Sequence, residues 1–259
     1  MSKLSTLSRS IAGRTAIVTG AASGMGRATA HLFAAEGANV AVLDLGTEGV
    51  AAVVEEIEKG GGRAAGWACD VGDAAQIDRV VAEVAAHFGG IDILVNNAGI
   101  VEFVGIDAET YEDVWDRTLR IDLTAHQRMI RACLPQLTRN GDGRIVNIAS
   151  TEGLGATALN SSYVAAKHGV VGLTRALAVE LGAKGVTVNC ICPGPIHTGM
   201  TSIIPDEHKR KFARRRVPLR RYGDPEEVAH ATLSFVLPAA SYVNGAVLPV
   251  DGGLTAQHT

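Results

Sequence analysis

Tyr163 and Lys167 stand four residues apart, a spacing that puts both on one face of any helix that carries them. Their polar tips then meet over a common pocket. A neighbouring ammonium favours the ionised phenolate, so the pair predicts a phenol pKa below its usual value of about 10. A phenol tuned that way exchanges a proton with an alcohol or carbonyl oxygen near neutral pH. Ser150 lies thirteen residues before Tyr163 and closes the apolar run 144–150, which reads as a buried strand emptying at its carboxyl end. Open parallel sheets place their chemistry at that end. The Tyr-x-x-x-Lys spacing also occurs on solvated helix faces, so the rest of the chain must decide its meaning.

The elements that position these groups alternate along the whole sequence. Strand-like runs at 15–19, 39–44, 64–71, 91–95, 144–150, 186–191 and 246–250 are separated by helical patterns at 27–36, 50–59, 73–88, 111–138, a stretch through Tyr163 to 181, and 225–237. Strict alternation predicts a doubly wound, Rossmann-like α/β fold with a parallel sheet and helices on both faces. No linker, repeat or low-complexity tract divides the chain, so 1–259 is expected to form a single domain. The chain is 47% hydrophobic and 20% charged, which suits one substantial core. A formal net charge of −3 offers no field for nucleic acid or an anionic membrane. No apolar run approaches the roughly 20 residues of a membrane span. The start, 1–14, lacks the apolar core of a signal peptide. Cys69, Cys133, Cys190 and Cys192 lack metal-site spacing and read as buried thiols. A cytoplasmic protein is the expectation.

Between the first strand and first helix lies Thr19-Gly20-Ala21-Ala22-Ser23-Gly24-Met25-Gly26. Glycines there allow positive φ and let backbone amides approach a pyrophosphate at a helix N-terminus. A tight strand-to-helix corner would use the same residues. Asp44 ends the second strand, where a carboxylate accepts from ribose hydroxyls and repels a 2′-phosphate, so NAD is expected over NADP. It could instead cap the helix after Gly46. Asp70 follows the third strand and could accept from an adenine amino group or cap the helix near Asp73. Asn96-Asn97-Ala98-Gly99 follows the fourth strand, and the run from Pro193 to Thr198 follows the sixth.

In this order, these pieces closely resemble the short-chain dehydrogenase/reductase family in its single-domain form. The matching residues are the turn Thr19–Gly26, Asp44, Asp70-Val71, Asn96 to Gly99, Ser150, Tyr163-x-x-x-Lys167 and Pro193-Gly194. Arg221-Tyr-Gly-Asp-Pro-Glu-Glu-Val228 and Val250-Asp-Gly-Gly253 also match, so the resemblance covers nearly the whole chain. It implies Tyr163 as general acid/base, Lys167 lowering the tyrosine pKa and holding the nicotinamide ribose, and Ser150 bonding the reacting oxygen, with no metal needed. It further implies cofactor contacts at Gly20, Ser23, Gly24, Met25, Gly26, Asp44, Leu45, Asp70, Val71, Asn97, Ala98, Gly99, Tyr163, Lys167, Pro193, Gly194, Ile196 and Thr198. The family usually carries an asparagine in the middle helix, which the resemblance assigns to a water-bearing proton relay. Here Ile121-Asp122-Leu123 occupies that segment. Asp122 is therefore a candidate catalytic residue that either preserves the relay as an acceptor or tunes Lys167 and Tyr163; it could also be an isosteric replacement bonded to backbone.

The resemblance places a variable substrate loop at about 196–223. Its second half holds Lys209, Arg210, Lys211, Arg214, Arg215, Arg216, Arg220 and Arg221. These residues read as a grip on an anionic substrate or, as the favoured alternative, as a solvated or intersubunit face. Glu152 and His197 stand where pocket walls are expected. The function implied is hydride transfer between NAD(H) and a small secondary alcohol or ketone, in a homotetramer. Alternatives are a 3-oxoacyl-thioester reductase, acting on an acyl carrier protein or CoA ester, and a dinucleotide-binding sensor without turnover.

Overall fold

Side chains that alternate between two apolar faces fix the middle layer. In β1 (Thr15–Thr19), Ala16 and Val18 pack into one core while Ile17 packs into the other. The same alternation runs through β2 (Asn39–Asp44), where Val40 and Val42 oppose Ala41 and Leu43. A strand buried on both faces needs helices on both faces, and parallel pairing supplies them through crossovers. The computed structural model describes residues 6–257. The first five and last two residues of the expected domain lie outside the described residues.

In chain order the elements are β1, α1 (Gly24–Ala35), β2, α2 (Thr47–Lys59), β3 (Arg63–Ala68), α3 (Ala74–Phe88), β4 (Ile93–Asn96) and α4 (Tyr111–Leu119). Then follow α5 (Ala125–Leu137), β5 (Arg144–Ile148), α6 (Ser161–Leu181), β6 (Thr187–Pro193), α7 (Gly199–Ser202), α8 (Asp206–Arg216), α9 (Pro225–Val236) and β7 (Val247–Val250). The seven strands pair in the order β3-β2-β1-β4-β5-β6-β7, and every pair is parallel. Strand order reverses between β1 and β4, which opens a crevice at their carboxyl ends. Helices α1, α2 and α9 cover one face; α3, α5 and α6 cover the other.

The single doubly wound domain expected from the alternation is therefore the one observed. Beyond shifts of a few residues at element ends, three differences bear on the site. The helix expected from 27 begins at Gly24, so the glycine turn itself forms the first helical turn. The helix expected over 111–138 is interrupted by a π-helical turn, Arg120–Thr124. Asp73 caps α3, accepting from the amides of Ala75 and Gln76, whereas α2 is capped at Gly46 without help from Asp44. All four cysteines are buried and free. Burial pushes the Cys69 thiol up to about 11, and that of Cys133 higher still.

Candidate active site

Four elements converge beyond the carboxyl end of the sheet. β5 delivers Ser150 through Ala149, and a 3-10 turn, Thr151–Gly153, carries the chain away. The Ser150 hydroxyl accepts from the Glu152 amide at 3.1 Å, so this turn fixes its direction. α6 presents Tyr163 and Lys167 on one face, as the spacing predicts, with Lys167 Nζ 5.3 Å from the tyrosine ring centre. Lys167 donates to the Ile148 carbonyl at 3.3 Å, tying α6 to β5.

Asp122 reaches the same point from the π turn. Its Oδ1 lies 3.3 Å from Lys167 Nζ, and both side chains are nearly fully buried. The Ile100 amide donates to the same oxygen at 3.2 Å. Inserting one extra residue in the helix rotates Asp122 inward, a use of π turns common at functional sites. Gly99 permits the approach. A Cβ there would sit 2.5 Å from Asp122 Oδ1 and 3.5 Å from Lys167 Nζ, so any side chain would enter the ion pair.

The electrostatics correct the expected phenol shift. Burial raises the Tyr163 pKa; Lys167 and Ser150 pull it down, while Asp122 and Glu152 add negative charge that pushes it up, and the net shift is upward. Lys167 suffers from burial too, but the Asp122 carboxylate outweighs that penalty with Tyr163's help, and its ammonium is stabilised. Asp122 is raised because burial exceeds the pull of Lys167. The Lys167 charge acting on the tyrosine is therefore shared with Asp122.

Sequence reasoning missed the polar floor beneath this pair. Asn96 donates to Asn147 at 2.9 Å, and Asn147 donates to Thr174 at 3.0 Å. Beside them His126 is buried, four residues after Asp122, with no hydrogen-bond partner for either ring nitrogen among the described residues. Burial lowers its pKa to about 3, so it is neutral at physiological pH. Its place one turn beyond Asp122 was the available signal.

The cofactor cradle forms at the crevice. Gly20 and Gly24 take φ of +65° and +53°, values that favour glycine. A Cβ on Gly26 would sit 2.1 Å from the Gly20 carbonyl, which forbids a side chain there. Ser23 is the N-cap of α1, its side chain makes no capping bond, and it leads into first-turn amides that have no partner within the helix. That dipole end and the open glycine backbone fit a pyrophosphate, so the residues suit a dinucleotide. Met25 packs on the core behind the turn. Asp44 Oδ2 accepts from Ala22 at 2.9 Å and Oδ1 from Leu45 at 2.7 Å, which holds the carboxylate beside the turn. Thr198 lies against Gly24, within 3.3 Å of where its Cβ would be.

Other expected residues serve the frame. Asn97 donates to the Thr19 and Gly20 carbonyls at 2.9 and 3.2 Å, and Asn97 and Ala98 donate from backbone to Thr19 Oγ1. These bonds lock the end of β4 to the glycine turn. Asp70 accepts from Gly72 at 2.7 Å rather than capping α3, and Val71 is buried beside it. Pro193 ends β6 in the core, Gly194 lets Asp251 approach, and Ile196 is 5% exposed and packs inward. Ile196 thus braces the loop by its side chain, leaving only its backbone for a ligand. His197 stacks on Tyr222 with ring centres 5.3 Å apart.

The basic segment divides. Arg221 grips Glu227 through two bonds of 2.7 and 2.6 Å and holds that carboxyl down at about 2. Lys209 is buried near Asp206, whereas Arg210, Lys211, Arg214, Arg215, Arg216 and Arg220 lie exposed. A cavity of about 1020 Å³ lies behind α1, lined by Arg27, His31, Glu56 and Lys209, with Gly24, His197 and Thr198 also on its wall; none of Ser150, Tyr163 and Lys167 lines it. It is therefore separate from the Ser150–Tyr163–Lys167 cluster.

Comparison with known proteins gives concordant matches. The family model described as enoyl-(acyl carrier protein) reductase matches residues 20–255. The hydroxy(phenyl)methylsuccinyl-CoA dehydrogenase subunit BbsD of Thauera aromatica is 42% identical over 243 residues, covering 94% of this chain and 97% of that one. The meso-2,3-butanediol dehydrogenase of Serratia marcescens is 41% identical, covering 94% and 95%. A candidate NAD(P)-dependent gluconate 5-dehydrogenase from Beutenbergia cavernae, solved with bound NADP at low occupancy, superposes with a TM-score of 0.90. It is 40% identical and covers 96% of this chain and 99% of its own.

Proposed function

This chain belongs to the short-chain dehydrogenase/reductase family, and on that premise we propose that it interconverts a secondary alcohol and its ketone, with NAD the preferred dinucleotide. The observation that carries the reading is the convergence of Ser150, Tyr163 and Lys167 at the crevice beside the glycine turn. The bound nicotinamide would supply the hydride acceptor in oxidation and the hydride donor in reduction.

The chain's own residues handle the oxygen and its proton. In oxidation, Ser150 holds the alcohol oxygen, and the Tyr163 phenolate takes its proton as the carbon loses a hydride. In reduction, the phenol returns the proton to the oxygen that gains negative charge. Lys167 stabilises the phenolate in both directions, and Asp122 keeps Lys167 charged in its buried position. Ser23, the α1 amides and Thr198 would hold the pyrophosphate, and Asp44 the adenosine ribose.

Cofactor choice is the experiment that tests the dinucleotide half of this reading. Asp44 accepts ribose hydroxyls and repels a 2′-phosphate, so wild-type kcat/KM should be higher with NAD than with NADP. Asp44→Ala should lower NAD efficiency about 10- to 100-fold, the worth of hydrogen bonds to a charged group, and narrow the gap to NADP. Asp44→Asn, which keeps an acceptor without the charge, should narrow it with a smaller loss. The Beutenbergia neighbour was solved with NADP, which makes NADP the informative control. A wild type that prefers NADP would remove this role from Asp44.

Two further proposals concern partners. The exposed arginines of α8 form a solvated or intersubunit face, supported by the exposure of Arg210, Arg214, Arg215 and Arg216 and by the pairing of the neighbouring Arg221 with Glu227. A thioester substrate is the second reading, favoured by the CoA-ester dehydrogenase among the relatives. A homotetramer is proposed with α6 at an interface, where Gly172 leaves open space and Val179 is 86% exposed. Gly169, also small, instead accommodates Leu123 within the chain.

A further inference from the structure

We propose that Arg214, Arg215 and Arg220 bind a phosphate dianion, free or at the end of a small ester, and that the bound anion braces α8 against the turn 251–256. This site goes beyond the alcohol reading and does not rest on it. A cavity of about 510 Å³ is lined by these three arginines, the start of the turn after α8, Gly253 and Gln257. No aspartate or glutamate lines it, and neither does any of Ser150, Tyr163 and Lys167. Packing brings the parts together: Ala213 and Val217 cluster with Tyr222 and Leu254, and the Leu219 amide donates to the Gly252 carbonyl at 3.2 Å. The ion pairs of this segment join Lys209 to Asp206 and Arg221 to Glu227. Arg214, Arg215 and Arg220 lie exposed and in no ion pair among the described residues. The carboxylate of the adjoining turn, Asp251, is already engaged, accepting from the Gly253 amide at 2.8 Å and the Thr255 hydroxyl at 2.6 Å.

Three guanidinium groups around one cavity repel each other, and an anion among them replaces that repulsion with attraction. The helix dipole accounts for part of the arrangement, since Arg214 and Arg215 stand in the last turn of α8. Arg220 lies beyond that helix, where the dipole has faded. It takes a φ of +56°, which strains any residue but glycine, and strained backbone of this kind clusters at ligand clamps. A guanidinium donates two parallel hydrogen bonds to a phosphate. A phosphate offers oxygens to more than one such fork, whereas a carboxylate has only two oxygens, so three arginines favour the phosphate. Gln257 adds a neutral amide donor at the wall. A cavity of this size also leaves room for the remainder of a small ester. Of the residues within α8 only Lys209 and Ala213 are buried, so an anion shared with the turn 251–256 adds a hold that this helix otherwise lacks.

The test titrates inorganic phosphate and glycerol phosphate into the protein by calorimetry. Ionic strength is held constant with chloride, and saturating NADH or NADPH keeps the glycine turn filled. The wild type should bind one equivalent per chain, and amide hydrogen exchange in α8 should slow as it does. Tighter binding of glycerol phosphate would support the site as one for phosphate esters, and tighter binding of inorganic phosphate as one for the free ion. Arg220→Gly should weaken binding about 10- to 100-fold, the worth of hydrogen bonds to a charged group. It should melt no lower than the wild type, because glycine suits the positive φ. Arg214→Ala combined with Arg215→Ala should weaken binding at least as much. Arg210→Ala combined with Lys211→Ala removes two charges of the same helix that lie off the cavity, and should bind like the wild type. No saturable binding of either probe, wild-type affinity in Arg220→Gly, or an equal loss in the Arg210 and Lys211 variant would overturn the site. Binding that leaves exchange in α8 unchanged would overturn its bracing role.

Discussion

Tyr163→Phe is expected to lower turnover by about 10² to 10⁴, the range for losing a positioned acid/base, while dinucleotide affinity stays near that of the wild type. The substitution deletes only the hydroxyl and keeps the ring over which Lys167 packs. Ser150 would still hold the reacting oxygen, but the hydroxyl proposed to exchange its proton would be gone. His126 is neutral and buried below the floor, and its pKa of about 3 bars it from acting as a base that becomes protonated at neutral pH. Single-turnover kinetics together with dinucleotide titration by fluorescence separate the chemical step from binding. Turnover like the wild type in the phenylalanine variant would remove Tyr163 from the mechanism.

The second large effect is expected at Asp122. Asp122→Ala leaves the Lys167 ammonium buried with only the Ile148 carbonyl as partner. Breaking a buried ion pair in this way costs about 3–5 kcal/mol, which for a chain of this size lowers the melting temperature on the order of 10 °C. Asp122→Asn keeps the shape and discards the charge. Asp122 raises the phenol pKa, so losing its charge lets that pKa fall. Oxidation needs the phenolate, so the acid-side limb of its pH profile should move to lower pH. Reduction needs the phenol, so the alkaline-side limb should move to lower pH as well. Unmoved limbs in both directions would show that Asp122 carries no charge that the tyrosine feels.

Much of this was legible in the residues because it is local. Period-two burial in β1 and β2, the glycines around Ser23 and the four-residue spacing of Tyr163 and Lys167 each follow from geometry within one element. What escaped depends on contacts between distant segments. The π turn exists because Asp122 finds the Ile100 amide and Lys167, from two other parts of the chain. The run from Asn96 to Gly99 was legible as a segment beside the cofactor crevice, but that the Asn97 side chain ties it to the carbonyls of the glycine turn was not. The expected drop in the Tyr163 pKa considered only Lys167, whereas burial and two carboxylates act in the opposite direction. The divided fates of Lys209, Arg221 and the exposed arginines follow from the packing of α8 and the start of α9, which charge counting does not reveal.

Direct hydride transfer from a secondary carbinol carbon can be followed with butane-2,3-diol deuterated at its carbinol carbons, oxidised by the wild-type protein in the presence of NAD, with the reduced dinucleotide analysed by proton NMR. Direct transfer leaves one deuterium at C4 of the nicotinamide, on a single face, with the hydroxyketone formed in equal amount. Reduced dinucleotide free of deuterium, or diol left unchanged while the Tyr163→Phe protein behaves identically, would contradict it.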